Sequence, residues 1–584
     1  MSLIAQPIVM KIKDNREALD FFEKHSLPEE PESKRRVITD FPTVYIHNWK
    51  DTSDYEVYVG ESNNIFQRTR NHFDEALNPK SWQSNLINKD ANLYIIGHEH
   101  FNKSLTLDIE NRMIHYLMSI NQIKKVHNGR GNPQRDYYPV EEFEIIFDRI
   151  WRKLRADNKE LFPSVSEIKD SAIFKASPLH KLTEEQEKAK ELIISKVRQA
   201  LSIDGKHQII FIDGEAGTGK TVLNSSTFYD LYCMAEEEEK TINCHLLVNH
   251  DEQITVYEQI ASKLGITEKY GKVVNKPTSF INAHTSKNPV DVVFVDEAHL
   301  LLTQGKQSYQ GNNQLKDIIE RSKVTVVMFD ENQILNTEQY WEAEVLKRYR
   351  EMATASGNHI ILDKQLRMNA DPDTRDWIDS FTKSCELKKI PKDTMGYSIK
   401  VFETPLELDC AIQTMAKNSE TALSRLIATY DWEYSSLNRP TDHLKKYWEV
   451  LTEDGWHKPW NRELENELSK AEKRRNKSLA WAEQPQTINE VGSTFTIQGF
   501  DLNYAGVILG PSVKYRNGKI VFDPSKSYDN KAVRKRTLSD GTKKSFGEEL
   551  IQHAVRVLMT RGVNGLYIYA CDPALRNALK AAAK

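Results

Sequence analysis

IIFIDGEAGTGKT, residues 209–221, joins an apolar run to G-x-x-x-x-G-K-T and decides the fold. Four apolar residues followed by a glycine-rich turn predict a buried strand that feeds a helix. Gly214, Gly217 and Gly219 let successive backbone N–H groups wrap phosphate oxygens, which side chains would block. Lys220 is placed to reach the β and γ phosphates of ATP, and the Thr221 hydroxyl to hold Mg²⁺.

Downstream, the same rhythm of short apolar runs and helical stretches continues. HLLV (245–248), VVFV (292–295), TVVMF (325–329), HIIL (359–362), RLIAT (425–429), YAGVIL (504–509) and GLYIYA (565–570) read as buried strands of parallel α/β layers. VVFV ends in Asp296-Glu297-Ala298-His299. Paired carboxylates at a strand end can divide labour, with Asp296 on Mg²⁺ and Glu297 polarising the attacking water. TVVMF ends in Asp330-Glu331-Asn332-Gln333, where Gln333 can sense the γ-phosphate. A run of charge at Glu236–Lys240 reads as a solvated helix face.

The chain has 584 residues, which predicts roughly four domains. Net charge is −4, so any nucleic-acid surface must be a local patch of Lys and Arg. None of the five cysteines forms a C-x-x-C pair, which argues against a zinc cluster or disulfide framework and fits a reducing compartment. The first residues carry no signal-peptide pattern and no stretch approaches a transmembrane length, so a cytoplasmic protein without a membrane partner is expected.

The ordered motifs resemble the superfamily 1 helicases. Leu182–Gln186 looks like the adenine-reading Q motif, with Gln186 at its end. GEAGTGKT, DEAH and FDENQ follow in family order. Gln365-Leu366-Arg367-Met368 looks like the motif that supplies a first arginine finger, and VLMTRG (557–562) the one that supplies Arg561 as a second. STFTIQGFDL (493–502) resembles the motif that sets Gln498 and Gly499 near nucleic acid and phosphate; Asp501 stands where Glu is common. Residues 182–580 are most similar to the DNA/RNA helicase family related to the Schlafen group 3 helicase domain. The resemblance implies two RecA-like lobes, 182–380 and 381–584, with ATP between them. A segment at about 432–490 is then an insertion in the second lobe. It carries Trp432, Trp448, Trp456, Trp460, Trp481 and Lys473-Arg474-Arg475, and reads more readily as a small aromatic core than as a strand-binding surface.

The first 40 residues read as a helical lead-in, and 151–181 as a linker. Between them, 41–150 alternate β-rich runs with helices, as in an α+β domain. Arg68 and His72 are four apart and share a helix face. In LTLDIENRMIHYLM the apolar stripe Leu107, Ile114, Leu117 includes Glu110. A carboxylate on an apolar stripe is costly unless paired or bound to metal, so Glu110 is a site candidate. Residues 43–130 resemble the GIY-YIG nucleases in the order Tyr45, Tyr58, Arg68, His72, Glu110, Asn128. That resemblance implies a divalent metal, Mg²⁺ or Mn²⁺, on Glu110, with Arg68 steadying the scissile phosphate. It also implies that Tyr45, with Tyr58 or His72, helps activate water.

The combined expectation is an ATP-driven motor on DNA or RNA with its own endonuclease. Analogy alone suggests a bacterial protein acting against foreign DNA. Two rivals stand beside it: an N-terminal domain that only grips nucleic acid, and an ATP switch that neither moves nor cuts. Oligomeric state is not legible.

Overall fold

The computed structural model describes residues 4–78, 82–128, 137–202, 207–305, 308–418, 421–440, 445–477 and 479–584. The chain forms two compact units, one of residues 1–181 and 256–273, the other of 182–255 and 274–584.

The first unit is built on strands β1 (Ile8–Lys13), β2 (Thr43–Asp51), β3 (Asp54–Ser62), β4 (Asn92–Gly97) and β5 (Ile123–Val126). Their order is β1-β4-β2-β3-β5. β1, β4, β2 and β3 pair antiparallel, and β5 runs parallel to β3. The lead-in is therefore not all helical: it supplies the edge strand, whose Ile8, Met10 and Ile12 lie against a core with Leu93 and Ile95. Residues 151–181 differ from a linker as well. Trp151, Leu154, Leu161, Phe162 and Ile173 are buried, because the helix Phe143–Asp157 folds an apolar stripe inward. Helices Ile65–Glu75 and Lys103–Met118 carry the site candidates and begin on Asn64 and Asn102, whose side chains accept from Gln67 N and Leu105 N. The later segment 256–273 brings Lys263, which is buried and donates to Met118 O (2.8 Å) and Ile120 O (2.7 Å). Burial pulls its ammonium down to about 7.

The second unit holds two parallel sheets. In the first lobe, β6 (Gln208–Gly214), β7 (Cys244–Leu247), β8 (Val274–Asn275), β9 (Val290–Val295), β10 (Ser322–Phe329) and β11 (His359–Leu362) take the order β11-β6-β10-β9-β7-β8. Every pairing is parallel. Such a sheet buries both faces, which is why its strands are continuous apolar runs. The second lobe orders its strands 398–401, 562–570, 502–509, 425–428, 491–492, again all parallel. These are the two RecA-like α/β lobes. In the 432–490 segment Trp460, Trp481 and Trp448 are buried, and Trp432 and Trp456 pack on the core of the second lobe. The run Lys473-Arg474-Arg475 sits on the short helix Lys470–Asn476.

Candidate functional site

A cleft between two lobes gathers most of the motif residues. After β6 the chain turns through Gly217 (φ +88°) and Gly219 (φ +78°), left-handed values that glycine adopts freely. Close approach forbids larger residues too: a Cβ on Gly219 would come 2.1 Å from Gln186 Nε2, and one on Gly217 2.7 Å from Arg367 Cβ. Gln186 donates to Thr218 O (3.1 Å), so the Q-motif residue braces the loop itself. Lys220 opens the helix Lys220–Glu237 and donates to Gly214 O (2.5 Å) and Glu215 O (2.9 Å). Asp330 Oδ2 lies 3.7 Å from Lys220 Nζ and accepts from Gln333 Nε2 at 2.8 Å. Thr221 follows on the same helix, and Asp296 is buried at the end of β9 with Glu297 N on its Oδ1 (3.0 Å).

Glu297 is held at φ +48°, a costly conformation for a side chain with a Cβ. Its Oε2 is buried without a hydrogen-bond partner, while Gln253 Nε2 approaches Oε1 at 3.5 Å. Burial pushes this carboxyl up, but His299 and Lys220 outweigh burial and hold it below the usual range.

The second lobe meets these groups directly. Arg561 is fully buried and donates to Gln333 Oε1 (3.0 Å), Phe500 O (3.2 Å) and Val557 O (3.0 Å). Burial and the neighbouring Arg367 pull it down to about 9. Arg367 Nε lies 2.6 Å from Asp501 Oδ1, and its buried Nη1 has no hydrogen-bond partner. Gln498 Nε2 donates to Gln333 O (3.3 Å). Gly499 (φ +87°) leaves room for Gln253, whose Nε2 would be 2.6 Å from a Cβ there. A strained carboxylate whose Oε2 has His299 Nε2 at 3.4 Å but no hydrogen bond, an arginine with an unsatisfied Nη1 and a glycine cradle fit a nucleoside triphosphate with its Mg²⁺.

The motif reading missed the partners that span long sequence distances. Glu215, inside the phosphate loop, accepts from Arg556 (2.7 Å) and Lys383 (2.6 Å) of the second lobe. Asp330 and Gln253 were also unassigned. Asp330 had a signal, an acid at a strand end like Asp296; Gln253 and the pairings of Glu215 had none.

The second cluster lies in the N-terminal unit. Tyr45 OH is 3.1 Å from His72 Nε2 and accepts from Arg68 Nε at 3.3 Å. Tyr58 stacks on Trp82, ring centroids 4.2 Å apart. Gly60 lies beneath Tyr45, since a Cβ there would be 2.4 Å from the hydroxyl. Burial raises the Tyr45 phenol and, with His47 and Arg68, pulls His72 down to about 3. His72 is thus neutral near pH 7. Glu110 Oε1 accepts from Asn128 Nδ2 (2.9 Å), which also donates to Val59 O (2.9 Å). Burial, then Glu61, raises Glu110 to about 7. Tyr45, Tyr58, Arg68 and His72 form one cluster, and the charge of Arg68 also reaches Glu110, which Asn128 holds. Sequence reading missed Trp82, Glu61 and a buried pair, His47 Nδ1 to Asp14 Oδ2 at 2.5 Å. Among the described residues no three His, Cys, Asp or Glu side chains form a ready metal cage. One partly buried, charge-short carboxylate still suits a hard cation that takes its other oxygens from phosphate and water.

Fold and cleft define a two-lobed P-loop protein of the helicase class. Residues 207–572 match the family described as Schlafen group 3, DNA/RNA helicase domain, and the chain belongs to that family. An uncharacterized protein of Saccharomyces cerevisiae, YPL245W, is 34% identical over 429 residues, covering 68% of this chain and 90% of the relative. Among solved structures, the arterivirus nonstructural protein 10 helicase aligns at 12% identity with a TM-score of 0.25, over 65% of this chain. This chain covers 63% of that protein, less than two thirds of its length. A Pif1 helicase studied on forked double-stranded DNA aligns at 12% identity and TM-score 0.26, over 68% of this chain and 94% of its own. No helix among the described residues is long and apolar enough to cross a membrane.

Proposed function

We propose that the chain is an ATP-driven motor on DNA or RNA whose N-terminal domain, about 41–150, is a metal-dependent endonuclease. The observation that carries the motor is the contact of Arg561 with Gln333 across the cleft, beside Lys220, Asp330 and Glu297. In this reading Lys220 binds the β and γ phosphates and Glu297 orients and polarises the attacking water. Arg367 and Arg561 neutralise charge that develops on the γ-phosphate. Thr221 and Asp296 would hold Mg²⁺, which supplies electrostatic stabilisation of the phosphates. Gln333 and Gln498 link the γ-phosphate position to the second lobe, so closure and nucleic-acid binding can be coupled.

The cluster of Tyr45, Arg68 and His72, with the Arg68 charge reaching the Glu110 that Asn128 holds, supports the nuclease. Glu110 would hold the divalent ion, which stabilises charge on the scissile phosphate. Arg68 positions that phosphate, and Tyr45, held between Arg68 and the neutral His72, orients the attacking water. The relative at hand is a yeast protein, so the reading is not tied to bacterial defence.

The test is ATP hydrolysis by the full chain with and without single-stranded DNA and RNA, and cleavage of the same substrates with and without Mg²⁺ or Mn²⁺. Hydrolysis that neither nucleic acid stimulates rules out the motor. Absence of metal-dependent cuts on every substrate leaves the N-terminal domain as a grip.

A further inference from the structure

A chain of net charge −4 that handles a polyanion must concentrate its cations. Residues 526–544 do so: Lys526, Lys531, Arg534, Lys535, Arg536, Lys543 and Lys544 stand against Asp529 and Asp540. In sequence this segment belongs to the second lobe, between the strand Lys519–Phe522 and the helix Gly547–Met559. In space it is fastened to the first lobe. Buried Arg536 donates through Nη1 to Thr303 Oγ1 (2.8 Å) and Thr337 O (2.5 Å), and through Nη2 to Thr303 O (3.2 Å). Thr337 Oγ1 returns a bond to Lys531 O (2.9 Å), Arg534 pairs with Glu338, and Ser539 N donates to Glu342 Oε1 (3.0 Å). Ala532 and Phe546 enter the first lobe's core, where Phe546 stacks on Tyr340 at 3.8 Å.

The fastening uses two arginines and leaves the lysines outside. Arg536 faces inward from its rung of the hairpin opposite Lys544, while Thr537 pairs with Lys543. Lys535, Lys543 and Lys544 are exposed and have no ion pair among the described residues. Of the acids close by in sequence, Glu548 and Glu549 are exposed at the start of the helix Gly547–Met559, while Asp529 and Asp540 are occupied. Asp529 accepts from Lys531 N and Ala532 N, and Asp540 from Thr542 N and Oγ1. Tyr528, at the start of the same segment, is 54% exposed. Lys531 Nζ lies 5.2 Å over the ring of Phe495, in the segment that carries Gln498. Exposed lysines without an ion pair among the described residues leave positive charge uncompensated on this strap, although Lys544 also lies 5.2 Å over the Phe546 ring, and Tyr528 offers an exposed ring in the same segment. A phosphate backbone with stacking bases answers both.

We infer that the strap 528–544 is a contact surface for single-stranded nucleic acid, with Lys535, Lys543 and Lys544 on phosphates and Tyr528 under a base. This rests on the motor reading. The site is also well placed for coupling. Its anchor, Thr337, follows Gln333 by one short turn, and Gln333 Oε1 holds Arg561.

The experiment uses the full chain, fluorescence anisotropy with a short labelled oligo-dT and oligo-U, and a salt titration. K535Q/K543Q/K544Q should weaken binding about 10- to 100-fold at ~0.1 M salt and flatten the log–log salt slope by about 2. Lys-to-Arg changes at the same positions should retain both, and ATP hydrolysis without nucleic acid should match wild type in all variants. The two oligomers show whether deoxyribose or ribose strands are held. Wild-type affinity and slope in the triple Gln variant would overturn the strap assignment. A wild-type protein that binds neither oligomer would overturn the motor reading itself.

Discussion

Two buried glutamates, Glu297 in the ATP cleft and Glu110 in the N-terminal unit, are driven in opposite directions. Both lose solvation, which favours the neutral acid. Glu297 has His299, Lys220 and Arg561 set against burial and one carboxylate, Asp330, and is held below the usual carboxylate range. Glu110 has Glu61 beside it and only Lys103, Asn128 and Arg68 in opposition, so it titrates at about 7. The cleft brings its own counter-charges from two lobes. The N-terminal cup gives Glu110 less positive charge than burial and Glu61 demand.

The largest expected effect breaks the first half of this comparison. Arg561→Ala and Arg367→Ala each remove a positive group of the cleft, and on the proposed roles stimulated ATP hydrolysis should fall by about 10³-fold or more, the size known for arginine fingers. Nucleotide affinity should survive in both, whereas Lys220→Ala should lose affinity as well. Equilibrium binding of a labelled ATP analogue, run beside steady-state hydrolysis, separates the cases. Near-wild-type stimulated rates in both arginine variants would sink the two-lobe mechanism.

Next comes the cup. Glu110→Ala should lower metal-dependent cleavage by about 10²-fold or more and leave ATP turnover unchanged. Cleavage by the purified variant at the wild-type rate would show that the carboxylate is structural.

A smaller effect sharpens the comparison through packing. Gly60→Ala places a methyl against the Tyr45 hydroxyl and should cost about 1–3 kcal/mol of stability in the first unit. Chemical denaturation followed by tryptophan fluorescence reads this directly, and an unchanged midpoint would mean that Tyr45 can move aside.

The smallest concerns Glu490, a third buried glutamate, which has hydrogen-bond donors but little positive charge around it. It accepts from Leu464 N (2.6 Å) and Trp481 Nε1 (3.0 Å), and burial raises it from 4.5 to about 7. The folded state binds this proton more tightly than the unfolded state. Its contribution is therefore full below about pH 4.5 and lost as pH rises through about 7. Between about pH 5 and about pH 8 wild type should lose roughly 2 kcal/mol more stability than Glu490→Gln. Parallel pH dependence in the two proteins would refute the assignment.

How much of this was legible follows from the range of each interaction. Strands β6, β9 and β10 and the phosphate loop could be read because local runs specify them. The partial burial of Glu110 could be read because one helix period places it with Ile114 and Leu117, although Leu107 of the expected stripe is only half-buried. The partners of Glu215 could not: Arg556 lies 341 positions away, and no local pattern pairs them. Asp14 with His47 is hidden for the same reason. β1 was hidden because a short edge strand shares its lead-in with helices. The segment 151–181 looked like a linker because its charges obscured a stripe of Ile150, Trp151 and Leu154 that only tertiary packing reveals.

The return of residues 256–273 to the first unit bears on how the protein can be taken apart. A fragment ending at Lys181 lacks Lys263, the donor that satisfies Met118 O and Ile120 O at the end of the Glu110 helix. Ile120 O keeps its bond from Ile123 N (3.1 Å), but Met118 O would then need water in a place built to exclude it. The N-terminal module is discontinuous in the gene, so neither a truncation nor a domain graft at that boundary transfers it whole.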